Sequence, residues 1–222
     1  MSDTLSVIML NRVLLPGIGM RLPMLHTSHL DLIRDCQRNG ISFGCCLHMT
    51  APGEHEPSFP ALIGTEALIN DFGTMPDGML YYRLVGGRRF RIRRTLYTHE
   101  SVFTTEVDWF PPEPDDRLQH NHLIYGYALQ TLSESDPDLT VPLLAEFDHA
   151  ASVCWRVMNR MDDMAQTKQQ ELLEIVDPHE RLTAMKQWFV DTNRSKPTED
   201  AEHEGSGHEG AEPVGSKRDA AI

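Results

Sequence analysis

Gly64-Thr65-Glu66-Ala67-Leu68-Ile69, followed by Met75-Pro76-Asp77-Gly78-Met79-Leu80-Tyr81-Tyr82-Arg83-Leu84-Val85-Gly86-Gly87-Arg88-Arg89-Phe90-Arg91-Ile92, decides the fold of this chain. Pro76 fixes its own φ, Asp77 accepts a hydrogen bond from the backbone just ahead, and Gly78 tolerates φ > 0. The apolar runs on either side are therefore expected to fold back as a hairpin. Gly86-Gly87 is expected to break the second strand. Beyond it, Arg88 to Arg94 alternates charged and apolar side chains, the pattern of a strand with one face on a core and one in water. On such a strand Arg89, Arg91 and Arg93 share one face, and Arg88, Phe90, Ile92 and Arg94 share the other.

Outward from the hairpin, residues 1–110 read as a β-rich lobe: short apolar runs broken by Pro, Gly, Asn and Asp. One helix interrupts them, with Thr27 or Ser28 as its cap, Leu30, Leu32 and Ile33 facing inward, and Asn39-Gly40 ending it. Partial closure of the sheet would hide most strand edges. Pro111-Pro112-Glu113-Pro114-Asp115-Asp116 cannot continue a strand and marks the lobe boundary. Over 115–191, Leu118, Leu123, Ile124, Tyr127 and Leu129 recur at helical spacing. So do Phe147, Val153, Val157, Met158 and Met161, then Leu172, Leu173 and Ile175, then Leu182, Met185 and Phe189, which predicts a small helical bundle. Asp177-Pro178, with Glu180 three residues after Asp177, reads as an N-cap and helix start. Residues 192–222 lose all periodicity and are rich in Gly, Ser, Glu, His and Pro, a composition expected to be disordered.

A chain of 222 residues, 40% of them hydrophobic, is long enough to bury one or two cores. Its apolar runs fall short of the ~18–20 residues of a membrane helix, and Met1-Ser2-Asp3-Thr4 lacks the basic start of a signal peptide. A cytoplasmic protein without membrane contact is the expectation. The net charge of −13 is uneven: residues 1–110 hold 10 Lys+Arg against 11 Asp+Glu, and residues 111–222 hold 10 against 22. That acidity disfavours nucleic-acid phosphates as partners. Cys36, Cys45, Cys46 and Cys154 show no metal-binding spacing and read as buried thiols.

Three segments in order resemble the Lon protease N-terminal domain family: a Gly-Thr strand, Pro-Asp-Gly turn and Gly-x-x-Arg-x-Arg-Ile run at 64–92, the opening Val13-Leu14-Leu15-Pro16-Gly17 with Met20-Arg21-Leu22-Pro23-Met24, and the closing Gln170-Glu171-Leu172-Leu173-Glu174 with Asp177-Pro178-His179-Glu180-Arg181-Leu182. Leu25-His26-Thr27-Ser28-His29-Leu30 replaces the family's Phe-Glu-x-x-Tyr segment, and Gln169 stands where the family usually has Lys. The resemblance implies an α+β fold, with a PUA-like, partly closed β-barrel lobe before the helical bundle. It also implies a stand-alone recognition domain for unfolded or extended polypeptides, working with or beside a protease in protein quality control.

Catalytic chemistry is not evident. There is no Gly-x-x-x-x-Gly-Lys-Ser/Thr phosphate loop, since Gly17-Ile18-Gly19 has neither the spacing nor the lysine. The tail is too short for a peptidase domain with a serine nucleophile and lysine base. His120 and His122 would lie about 200° apart on a helix, so no metal or other cofactor is expected. The expected function is non-catalytic polypeptide recognition, with Met75, Met79, Arg89, Arg91 and Arg93 as candidate partner-binding residues. The methionines suit a tolerant surface. The alternative is a PUA-like RNA-binding module using the Arg88–Arg94 strand.

Overall fold

The computed structural model describes residues 3–24, 26–50, 58–99, 102–135 and 147–194. Two strands, β1 (Asp3–Leu10) and β2 (Gly19–Pro23), precede helix α1 (Thr27–Asn39). Strands β3 (Phe43–Thr50), β4 (Ser58–Pro60), β5 (Ile63–Thr74), β6 (Leu80–His99) and β7 (Val102–Trp109) follow. After a one-turn helix at His120–His122 come α2 (Leu123–Ser135), α3 (Ala150–Arg160), α4 (Gln166–Glu174) and α5 (Pro178–Arg194). The fold is α+β, with one large, mainly antiparallel sheet and five α-helices among the described residues. Met1–Lys186 form one compact unit. The expected lobe boundary at 111–116 is a stretch of irregular backbone within it. In the second unit, Gln187–Ile222, the described residues are the end of α5. Residues 192–194 are therefore helical, and the rest of the expected tail lies outside the described residues.

Strand order is β1-β7-β6-β5-β3-β4, with β2 on the other side of β6 and a parallel pairing of β1 with β3 that brings the order back to its start. The sheet is not a regular barrel: β2 hangs off this path, β4 extends beyond the β1–β3 pairing, and bulges interrupt β5–β6 and β6–β7. The turn at 75–79 forms as its chemistry requires. Gly78 has φ 85°, its N–H donates to the Met75 carbonyl at 2.9 Å, and the Met79 N–H donates to Asp77 Oδ1 at 3.0 Å.

Gly86-Gly87 does not break the strand, because β6 runs unbroken through both residues. These glycines instead allow close approach. A Cβ at Gly86 would overlap the Leu15 carbonyl, where the loop between β1 and β2 lies against β6 through Gly17 N–H to Gly86 O (2.8 Å) and Gly86 N–H to Ile18 O (3.0 Å). Gly64 serves packing as well: a Cβ there would stand 2.5 Å from Cys46 Sγ and 2.6 Å from the Phe90 ring.

Two apolar clusters fill the sheet. One joins Ile8, Leu10, Leu14, Phe43, Cys45, Ala67, Tyr82 and Leu84 to Ile33 and Cys36 of α1. The other joins Leu5, Val7, Cys46, Phe90, Ile92 and Val107. Helix α1 ends in the left-handed Gly40, as expected, but its N-cap is His26 and no side chain caps it. Trp155, Val153, Met158, Leu172, Leu173, Leu182 and Met185 of α3–α5 are buried. Ile124 and Tyr127 of α2, expected inside, are exposed. The four cysteines are buried free thiols, and burial pushes Cys36 up to about 11 and Cys154 to about 12, so they stay protonated.

Candidate functional site

The arginines of β6 meet different fates. Arg89 is buried beneath the helices and donates to the Leu173 carbonyl at 2.7 Å and the Ile175 carbonyl at 2.8 Å. Its other terminal nitrogen pairs with Glu113 at 2.9 Å. Arg181, fully buried on α5, donates to the Ile175 carbonyl at 2.7 Å, approaches the same Glu113 at 3.5 Å, and lies 3.7 Å over the Trp155 ring. One carboxylate from the irregular 111–116 stretch thus joins two guanidiniums that end the orphan carbonyls after α4. Burial pulls the Arg89 guanidinium down to about 10, with Glu113 opposing the shift, so it remains a cation. A side chain so placed ties the sheet to the helices and cannot reach a partner. The proposed face of Arg89, Arg91 and Arg93 therefore loses its first member.

The expected alternation fails again after Ile92, where a bulge shifts the register between Ile92 and Arg94. Arg93 and Arg94 both reach solvent as a result. Arg93 pairs with Asp108, and Arg94 makes a two-point pair with Glu106 at 2.9 and 2.7 Å. These hydrogen bonds raise both guanidiniums above their ordinary values and lower the Glu106 carboxyl. Arg88 approaches Glu66 at 3.5 Å and lies 4.2 Å over the Trp109 ring. Arg91 is exposed, 5.8 Å from the Phe110 ring centre.

Met75 and Met79 flank the hairpin turn and are half-buried, not fully exposed. They sit at the tip of a three-stranded projection made by β2, the first half of β6 and the second half of β5. Both borders of this projection lack a strand partner among the described residues. β3 pairs with β5 only through Thr65–Ala67, which leaves 68–74 as an edge, and β2 pairs only with β6. Leu68 is 45% exposed and Phe72 is 62% exposed on the β5 edge, with Phe72 6.1 Å from the Tyr82 ring. An edge without a strand partner beside exposed apolar side chains has the ingredients of strand addition, although its Phe72 N–H already donates to Asp71 Oδ1 at 2.8 Å. Leu68 and Phe72 were not singled out from sequence. Phe72 lies in the polar run Asn70-Asp71-Phe72-Gly73, and nothing in that run shows that β3 stops short of it.

A cleft of about 280 Å³, lined by Met9, Leu10, Leu22, Pro23, His26, His29 and His48 among others, borders the other edge. Burial, and then His26, lower the His29 imidazole. Elsewhere His122 is buried, stacks 6.0 Å from His179 and meets Thr183 Oγ1 at 3.3 Å. No group of three or more His, Cys, Asp or Glu among the described residues is placed to hold a metal, and no described helix is long and apolar enough to cross a membrane.

The profile of the ATP-dependent protease La (LON) substrate-binding domain matches residues 4–189. The Lon N-terminal domain protein from Xanthomonas campestris is 34% identical with a TM-score of 0.69, over 84% of this chain and 98% of that one. The N-terminal domain of Mycobacterium avium complex Lon protease shares the fold at 16% identity and a TM-score of 0.61, over 85% of this chain and 99% of that one. No curated protein matches the chain.

Proposed function

Because this chain belongs to the ATP-dependent protease La (LON) substrate-binding domain family, we propose that it recognises polypeptides without itself cutting them and presents clients in cytoplasmic protein quality control. The observation that carries this reading is the open β5 edge at 68–74 with Leu68 and Phe72 exposed beside it. An unfolded or extended client adds a strand there: backbone hydrogen bonds supply affinity, and the exposed apolar side chains supply loose selectivity. Met75 and Met79 border the same surface and adapt to varied side chains. Residues 1–110 supply the β-rich, PUA-like recognition lobe and 115–191 the helical lobe that supports it through Arg89, Glu113 and Arg181.

The RNA reading has less to stand on. It needs free clustered cations, whereas Arg89 is held inside and Arg88, Arg93 and Arg94 each have a carboxylate partner. The test is titration of a permanently unfolded, alkylated polypeptide against the full chain and against Leu68→Asp/Phe72→Asp. Binding by the parent chain, weakened about tenfold in the variant, is expected. An absence of binding by the parent chain contradicts the proposal.

A further inference from the structure

The second border of the projection carries information of its own. On β2, Arg21 stands directly opposite Arg83 of β6. Met24 N–H donates to Leu80 O at 2.9 Å and Gly86 N–H donates to Ile18 O at 3.0 Å, so the even-numbered residues of this strand bond to β6. By the alternation of an antiparallel ladder, Arg21 and Arg83 form a non-hydrogen-bonded pair, the closely spaced kind. Two consequences follow. The Arg21 N–H and C=O point away from β6, toward the free edge. The two guanidinium stems rise side by side from one face, where like charges directly opposite are destabilising.

Both arginines are exposed, and among the described residues neither has a carboxylate within ion-pair distance. Asp71, which faces Arg83 from β5, turns its Oδ1 instead to the Phe72 N–H at 2.8 Å. Arg21 rests 5.5 Å over the Tyr81 ring, which holds its stem on the face. A single charge on an edge strand guards against chance pairing. Arg83, however, lies on the inner strand of the three, where such a guard has no use. Leu22 and Pro23 line the cleft beside β2.

We propose that the free edge of β2 takes an extended polypeptide as an added strand, and that this segment carries carboxylate side chains where it passes Arg21 and Arg83 and apolar side chains where it faces the cleft. The inference rests on the polypeptide-binding reading and narrows it to a client class: alternating acidic and apolar segments. The carboxylates offset the repulsion between the two arginines, while the Arg21 backbone groups complete the ladder.

The experiment is anisotropy of a labelled short peptide alternating glutamate with leucine, its lysine–leucine counterpart and a single-stranded RNA, each titrated into the full chain, into Arg21→Glu/Arg83→Glu and into Arg21→Gln/Arg83→Gln. Both positions are exposed, and a circular-dichroism melt confirms folding. The expected result is binding of the glutamate peptide by the native chain, weakened about tenfold or more by R21Q/R83Q. In R21E/R83E the preference turns to the lysine peptide. Equal binding of both peptides by the native chain, an unchanged glutamate-peptide affinity in the variants, or preferential RNA binding would each overturn the inference. If the unfolded alkylated polypeptide still binds in those cases, only the acidic class falls; if it also fails to bind, the polypeptide reading falls with it.

Discussion

At the residue scale, Arg89 shows how one side chain changes meaning between sequence and structure. Within Arg88–Arg94 it is one cation among several, and the alternation that places it with Arg91 and Arg93 is interrupted by the bulge after Ile92 and silent about what covers Arg89 alone. The helices cover Arg89, the carbonyls after α4 accept from it, and Glu113, shared with Arg181, balances its charge. Arg89→Met should cost about 3–5 kcal/mol in a denaturant titration, because it leaves Glu113 and buried carbonyls short of donors; a loss below about 1 kcal/mol would show that the cluster holds little together. Asp177 is the opposite case, legible from sequence alone. Its Oδ1 accepts from the N–H groups of His179 at 2.7 Å and Glu180 at 2.9 Å, and these bonds lower its carboxyl. A lowered folded value means stabilisation that is present above about pH 4 and lost as pH falls through it. Asp177→Ala should therefore cost about 1 kcal/mol at neutral pH, with the difference from the parent shrinking in acid melts; a constant difference down to low pH would contradict the cap.

The strands and turns divide by how local their causes are. The 75–79 turn was legible because Pro, Asp and Gly act within a few residues, and Gly78 does adopt φ 85°. Gly78→Val should cost roughly 1–3 kcal/mol, read as a lower melting temperature, and an unchanged melt would mean a loose turn. Gly86 was misread as a break because its cause is distant: the Leu15 carbonyl, brought there by another segment, occupies the space of its Cβ. Gly86→Ala should separate the loop between β1 and β2 from β6 and speed amide exchange at Gly17 and Gly86, whose paired bonds depend on that approach. Exchange at the parent rate would show that the loop holds by other means. The bulge after Ile92 belongs with these long-range effects, since a one-residue slip in pairing is invisible to a period-2 pattern. The candidate surface was legible only at its tip, Met75 and Met79. Its edges exist because β3 pairs with β5 over three residues and no further, a fact of tertiary register that no local pattern carries.

Across the molecule, the sheet and helices work as one compact unit over Met1–Lys186, with the β2–β6–β5 projection as its open part. The family match over 4–189 covers all but the first three residues of this unit, which is why the order of three short motifs carried more weight than any one of them. A cationic strand alone does not make an RNA-binding protein: four arginines of β6, Arg88, Arg89, Arg93 and Arg94, are each matched to a carboxylate, Glu66 on β5, Glu113 in the 111–116 stretch, and Asp108 and Glu106 on β7. The central claim is that an extended polypeptide is taken up along the projection, and amide hydrogen exchange on the full chain with and without a saturating unfolded, alkylated polypeptide tests it most directly. Slowed exchange at 68–74 or 19–23, with the amides of β1, β3 and β7 unchanged, is the predicted result. Binding that leaves both edges at their free rates, or protects only the Arg88–Arg94 strand, would contradict it.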